Sequence, residues 1–289
     1  MSAAKLNSPT PFSYDNYRRF LEDALAYQKD QRGLSTRQAS FQSGFKSPNY
    51  LQLVVNGKRS LNPTNISKLC ETFNLNKQEK AFLEELISME KKGFKGDCRA
   101  HLHKLANSKA FKKAQPERVK KIHYYSKWYY VAVRELVALE AFQDCPFWIS
   151  KKLRRQLSPT DAKKVLSDLL DLGLLERGAD GKIQQVQKSF SPDNRLINSA
   201  IVDFHKVMIQ KGSQSLDDMS SSERYVTCVT IPVSGPIAEQ MKMMIANFRS
   251  ELLKLSAQCS DSDQVMQINI QAFPLTAELQ NPKEGQDDE

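Results

Sequence analysis

The chain holds five cysteines, four histidines, two tryptophans and eleven glycines among its 289 residues, and each scarcity closes off a class of chemistry. Cys70, Cys98, Cys145, Cys228 and Cys259 are odd in number and widely spaced, without a Cys-x-x-Cys pair, so no disulfide framework is indicated. Cys98, His101 and His103 form one cluster of soft ligands. It lacks a fourth ligand and matches no standard zinc spacing, so no metal is expected. There is no glycine-rich phosphate loop, Gly-x-Ser-x-Gly elbow or His-Glu-x-x-His run. His123 and His205 stand alone. The expectation is a protein that is not an enzyme and carries no cofactor. No apolar run approaches the ~20 residues of a membrane helix. The first ten residues lack the apolar core of a signal peptide, so a cytoplasmic protein with no membrane partner is expected.

What the chain does have is basic charge, unevenly placed. Its net charge is +9, with 40% hydrophobic and 26% charged residues, the balance of a globular protein. Up to Thr160 there are 29 basic residues against 14 acidic, and beyond it 13 against 19. A basic half is the electrostatic footprint of a nucleic-acid binder.

Within that half, residues 34–59 carry the most specific pattern. Ser35 with Gln38 three residues on makes a capping box, and Gly44 supplies an unhindered turn. Ser47 is placed to cap a second helix with Pro48 in its first turn, and Gly57 to close it. This order of parts predicts a helix-turn-helix, whose second helix enters a DNA groove. Residues 17–89 resemble the lambda-repressor-type (Cro/Xre-like) helix-turn-helix domain, with Gly44 as the turn glycine and Asn56-Gly57-Lys58 following the recognition helix. The chain is also similar to an uncharacterised bacterial family, often multiplied within one genome, that joins such a domain to a conserved region of unknown function. The residues behind that likeness are 47–59, 125–136, 169–175 and 268–275. The resemblance implies a transcriptional regulator.

For base contacts the candidates are Asn49 and Gln52, whose amides suit adenine. For phosphate contacts they are Arg37, Lys46, Ser47, Lys58 and Arg59. Leu51, Leu53, Val54 and Val55 make the second helix more apolar than a groove-facing helix needs. The exposure of Leu53 and Val55 therefore separates DNA binding from a partner surface.

The expected fold is mainly α with a smaller α+β C-terminal part. Residues 1–13 are predicted as a flexible arm and 14–92 as a five-helix helix-turn-helix bundle, its fourth helix beginning at Asn62-Pro63 and its fifth at a capping box of Asn76 with Glu79; Ser158 is placed to cap a later helix. Residues 93–116 read as a connector with one short helix around Arg99 to Ala106. Residues 117–192 are predicted as one long aromatic helix (117–142) followed by a winged-helix-like module, its wing at 174–177 and 182–187. The helix of that module is expected to expose Asp161, Asp168 and Asp171, which phosphates would repel, so it is not expected to read DNA. Residues 193–276 are predicted as an α+β dimerisation or sensor region, with a helix at 193–211 and a β-α-β unit from strands 224–232 and 265–273 around a helix at 235–258. Residues 277–289 form an acidic tail, predicted disordered.

The expected partners are double-stranded DNA and a second copy in a homodimer, with a protein partner or small-molecule effector also considered. Two alternatives come from other classes. One is a signalling adaptor that uses the helix-turn-helix and winged-helix folds for protein contact. The other is a small-molecule sensor, for an anionic nucleotide, using the basic segment Lys151, Lys152, Arg154 and Arg155.

Overall fold

The computed structural model describes residues 8–62, 66–93, 98–186 and 194–277. The described residues are mainly helical, and their one sheet is a two-stranded hairpin. None of their helices is long and apolar enough to cross a membrane. The chain divides into two units, residues 1–210 with 263–265, and residues 211–262 with 266–289.

The first unit begins with a short 3-10 turn, Pro11–Ser13. Here the expected flexible arm is corrected, because Phe12 is buried. Its ring meets Phe82 edge-on at 5.1 Å, and Phe82 in turn packs on Phe111 at 4.8 Å. One apolar side chain among polar neighbours is enough to tie a segment down when a matching cavity receives it.

Helix α1 spans Tyr17–Arg32, starts where Asn16 accepts from the Arg18 amide, and stops at Gly33 in the left-handed region. Helices α2 (Thr36–Gln42), α3 (Tyr50–Val55), α4 (Ile66–Thr72) and α5 (Lys77–Lys91) follow. Both predicted capping boxes form, Ser35 with Gln38 on α2 and Asn76 with Glu79 on α5. The helix expected from Asn62-Pro63 onward begins at Ile66; residues 63–65 lie outside the described residues. Phe20, Leu21, Leu51, Val54, Leu69 and Leu83 meet in one core.

The segment expected to be a connector is largely helical, with α6 at Arg99–Asn107 and α7 at Lys109–Ala114. Leu102, Leu105 and Phe111 anchor both helices in the same core. Its metal-ligand cluster is used otherwise. Cys98 is buried at the start of α6, and His101 Nδ1 lies 2.5 Å from Glu85 Oε2.

The predicted long aromatic helix is two helices, α8 (Pro116–Ser126) and α9 (Trp128–Leu136), broken at Lys127 with φ −124° and ψ 102°. The break has a packing reason. Val119 and Ile122 on α8 belong to the first core, whereas Tyr124 in the last turn of α8 and Tyr130 and Val133 on α9 belong to a second. An unbroken rod presents one stripe, so serving two cores requires the stripe to be re-aimed.

That second core joins α9 to α10 (Pro146–Lys152), α11 (Pro159–Asp171) and a hairpin. The hairpin pairs β1 (Leu175–Arg177) antiparallel with β2 (Ile183–Gln185), Glu176 opposite Gln184. The end of the expected second wing strand, at Gln187, lies outside the described residues. Ser158 caps α11 by accepting from the Asp161 amide at 3.1 Å. The row of three exposed carboxylates on α11 is corrected in part. Asp168 is half-buried and accepts from the Tyr130 hydroxyl at 2.5 Å, while Asp161 and Asp171 remain exposed.

From residue 194 onward the outcome differs most from expectation. Helix α12 runs Arg195–Asp218, longer than the 193–211 expected, and the division between units falls within it. Helix α13, Gly235–Ala257, matches its predicted position. The flanking segments 224–232 and 265–273 join no sheet, so the β-α-β unit does not form among the described residues. A strand exists through its ladder, and among the described residues these segments have no ladder partner. Val226, Val229, Ile231, Val265, Ile268 and Ile270, which a sheet would have had available for burial, are exposed. The acidic tail from residue 278 lies outside the described residues.

Two tests follow from the second core. Burial holds His123 down to about 4, with Lys127 and Lys112 acting in the same direction. The folded state therefore binds this proton less readily than the unfolded chain, whose histidine titrates near 6.5. The stability from the neutral ring is complete above ~6.5 and drains away as pH falls toward 4, by about 2–3 kcal/mol. Thermal melts across that range should show the loss in the wild type and a flatter profile in His123→Gln. Separately, Tyr130→Phe should cost about 1–2 kcal/mol in urea unfolding, because it leaves the half-buried Asp168 without its donor.

Candidate nucleic-acid interface

Helices α2 and α3 pack as a pair around a turn that needs glycine. Gly44 sits at φ 77°, and a Cβ there would come within 2.7 Å of Lys68 Cδ on α4. Phe45, just after the turn, is buried and stacks on Tyr50 at 4.3 Å. The Tyr50 hydroxyl donates to the Ser60 carbonyl at 2.9 Å, so the start of α3 is tied to the loop beyond its end. Ser43 Oγ donates to Thr72 Oγ1 at 3.1 Å, a buried bond between the turn and α4.

Helix α3 starts later than expected. Ser47 does not cap it; the Tyr50 amide donates to the Ser47 carbonyl instead, and Asn49 holds the N-cap position without a side-chain bond. The helix is six residues long. Its C-terminal end is as predicted: Gly57 lies at φ 77°, and the Lys58 and Arg59 amides both donate to the Leu53 carbonyl. Nothing lies within 4 Å of a Cβ at Gly57, so the glycine serves the backbone angle alone.

The faces of α3 are distinct. Leu51 and Val54 are wholly buried, whereas Asn49, Gln52 and Asn56, three and four residues apart, are exposed. Gln52 Nε2 donates to Asn56 Oδ1 at 3.2 Å along that face. Arg37, Lys46, Ser47, Lys58 and Arg59 are also exposed. All seven predicted contact residues therefore stand at the surface around α2 and α3. The apolar run resolves mostly inward. Val54 is core, Val55 packs against the core half-buried, and Leu53 is half-buried.

Two residues that sequence reasoning missed complete the arrangement. Lys68 is exposed on α4 with its stem against the turn at Gly44. Only the fold brings it to the turn at Gly44. Arg18 on α1 is the larger omission. Its Nε donates to Glu90 Oε1 at 2.7 Å, while Nη1 donates to the carbonyls of Val54 and of Arg59, the latter at 2.7 Å. One guanidinium thus joins α1, the end of α3 and α5. Five donors in a rigid fork make arginine the side chain able to do this.

A family model for a domain of unknown function, DUF4423, matches residues 105–275. The chain belongs to this family. The match covers the region from α6 onward and leaves the α2–α3 pair outside it. No curated protein and no solved structure matches the chain.

The Arg18 bridge is testable against its neighbour. Arg18→Met should lower stability by about 1.5–3 kcal/mol, since charged hydrogen bonds to two carbonyls and a carboxylate are lost together. Arg19→Met removes the same charge from an exposed site and should change stability by less than ~0.5 kcal/mol. Urea unfolding of the two variants side by side makes the comparison, and equal effects would dissolve the assigned role.

Proposed function

We propose that this protein is a DNA-binding transcriptional regulator whose contacts run through a helix-turn-helix formed by α2 and α3. The observation that carries the reading is the division of α3. Leu51 and Val54 are wholly buried, Leu53 and Val55 half-buried, and the amide-bearing side opens to solvent amid exposed Arg37, Lys46, Lys58, Arg59 and Lys68. Amides at the centre and cations around them are the two ingredients of groove readout, the first for base edges and the second for phosphates. The basic balance of the first 160 residues supplies the long-range attraction. In this reading the α10–α11–hairpin region is a winged-helix-like module that packs and does not read DNA. Asp161 and Asp171 stay exposed on α11, and phosphates repel them.

A second reading, a sensor for an anionic small molecule, is favoured by one feature. An open cleft of about 460 Å³ is bordered by Lys151 and Arg155 at the end of α10 and by Ser158 and Pro159 at the start of α11. A nucleoside phosphate that raises the melting temperature of the wild type, but not of Lys151→Ala with Arg155→Ala, would support it. The adaptor reading is weakened in part, because Leu53 and Val55 are half-buried and Val55 packs against the core, so neither stands fully open to a partner.

The regulator reading makes a graded prediction. Replacing Lys58 and Arg59 together with Ala should weaken specific and non-specific DNA alike and flatten the salt dependence by about 0.9 per lost contact. Asn49→Ala should instead cost about 1–3 kcal/mol at one base position, with the salt slope intact. Charge reversal of Lys163 and Lys164 on α11 should do neither. Anisotropy titrations on genomic fragments at several salt concentrations separate the three. Absence of binding even at low salt would sink the reading and promote the adaptor.

A further inference from the structure

The large apolar side chains exposed among the described residues are concentrated at one end of the chain. All but Phe41, Phe147, Val202 and Ile209 lie beyond residue 210. Segment 225–233 reads Tyr-Val-Thr-Cys-Val-Thr-Ile-Pro-Val, and segment 266–271 alternates Met266, Ile268 and Ile270 with Gln267, Asn269 and Gln271. Strict alternation marks a strand with one covered face. Here that face is bare, with Met266 66% and Val229 78% exposed, and neither segment belongs to a sheet. Helix α13 between them has no buried residue. Ile237, Met244, Phe248 and Leu255 recur along it at intervals of seven, four and seven, a single stripe, and all four are exposed.

Proteins guard open strand edges with lysine or other charges. These two segments carry no charged residue at all. Whatever covers them must bring apolar side chains for the open faces and, to meet their strand pattern, a ladder that the described residues do not supply. A second copy of the chain brings each in equal number. A twofold axis makes such a surface complementary to itself, and the match closes without leaving a free edge to propagate. The two segments and the helix stripe together approach the ~20–30 residues per side of a stable interface.

We propose that residues 225–233 and 266–271 pair with their counterparts in a second copy, completing a sheet that one chain alone leaves open, and that the α13 stripe is buried in the same interface. This deepens the regulator reading, which expects a dimer, and rests on it only for the dimer's biological use.

Light scattering of the full-length protein at micromolar concentration should give twice the chain mass of 32.9 kDa. Hydrogen exchange should find the amides of both segments protected, although one chain provides them no ladder. Val229→Lys combined with Ile268→Lys adds the missing guards at sites exposed within a single chain. That variant should be monomeric with unchanged helical dichroism. A monomeric wild type, a dimer whose segment amides exchange freely, or a folded double variant that stays dimeric would each overturn the proposal. Should the double variant fail to fold, mass and exchange of the wild type decide alone. A wild-type monomer that still binds DNA would remove this inference and leave the regulator reading standing; a dimer that binds no DNA would do the reverse.

Discussion

Helix α3 is six residues long, too short to hold its own position by backbone bonds, since a first helical turn costs more order than it returns. Its orientation depends on what grips its two ends. At the start, Tyr50 lies on Phe45 and donates to Ser60; at the end, Arg18 collects the carbonyls of Val54 and Arg59 while paired with Glu90. Leu51 and Val54, fully buried, fix its rotation. The solvent-facing amides and the basic loop after Gly57 are therefore held by neighbouring helices. Arg18 is the element on which the geometry of the proposed DNA face depends.

The rest of the chain is organised by a similar need for partners. Two cores sit in the first unit; α8 reaches both, with Val119 and Ile122 in the first and Tyr124 in the second, and beyond the break at Lys127 α9 serves the second alone. The family match begins at residue 105, ahead of that break, and extends through the exposed C-terminal segments. The region shared with the family thus holds the second core and the uncovered strands. The α2–α3 pair stands apart as the part that approaches DNA in our proposal.

Local chemistry was legible wherever it is self-contained. The capping boxes at Ser35 and Asn76, the turn at Gly44, the stop at Gly57 and the cap at Ser158 form as their spacing predicted, because each involves residues within a few positions. Long-range roles were not legible. Arg18 and Arg19 are adjacent identical residues, yet one bridges three elements and the other is exposed. Only α5, far along the chain, decides which. Phe12 looked like part of a mobile arm until Phe82 and Phe111 met it. The C-terminal alternation suggested two strands of a β-α-β unit, yet neither segment joins a sheet among the described residues, since period two says nothing about what would pair with it.

The central claim is that DNA meets this protein through the surface around α2 and α3. Amide chemical-shift mapping of the labelled protein on addition of a short DNA duplex tests it most directly. The account predicts shifts concentrated between Lys46 and Arg59, extending to Arg37 and Lys68, with α11 and the hairpin unmoved. Shifts centred on α11 or the hairpin, or none at any DNA concentration, would contradict it.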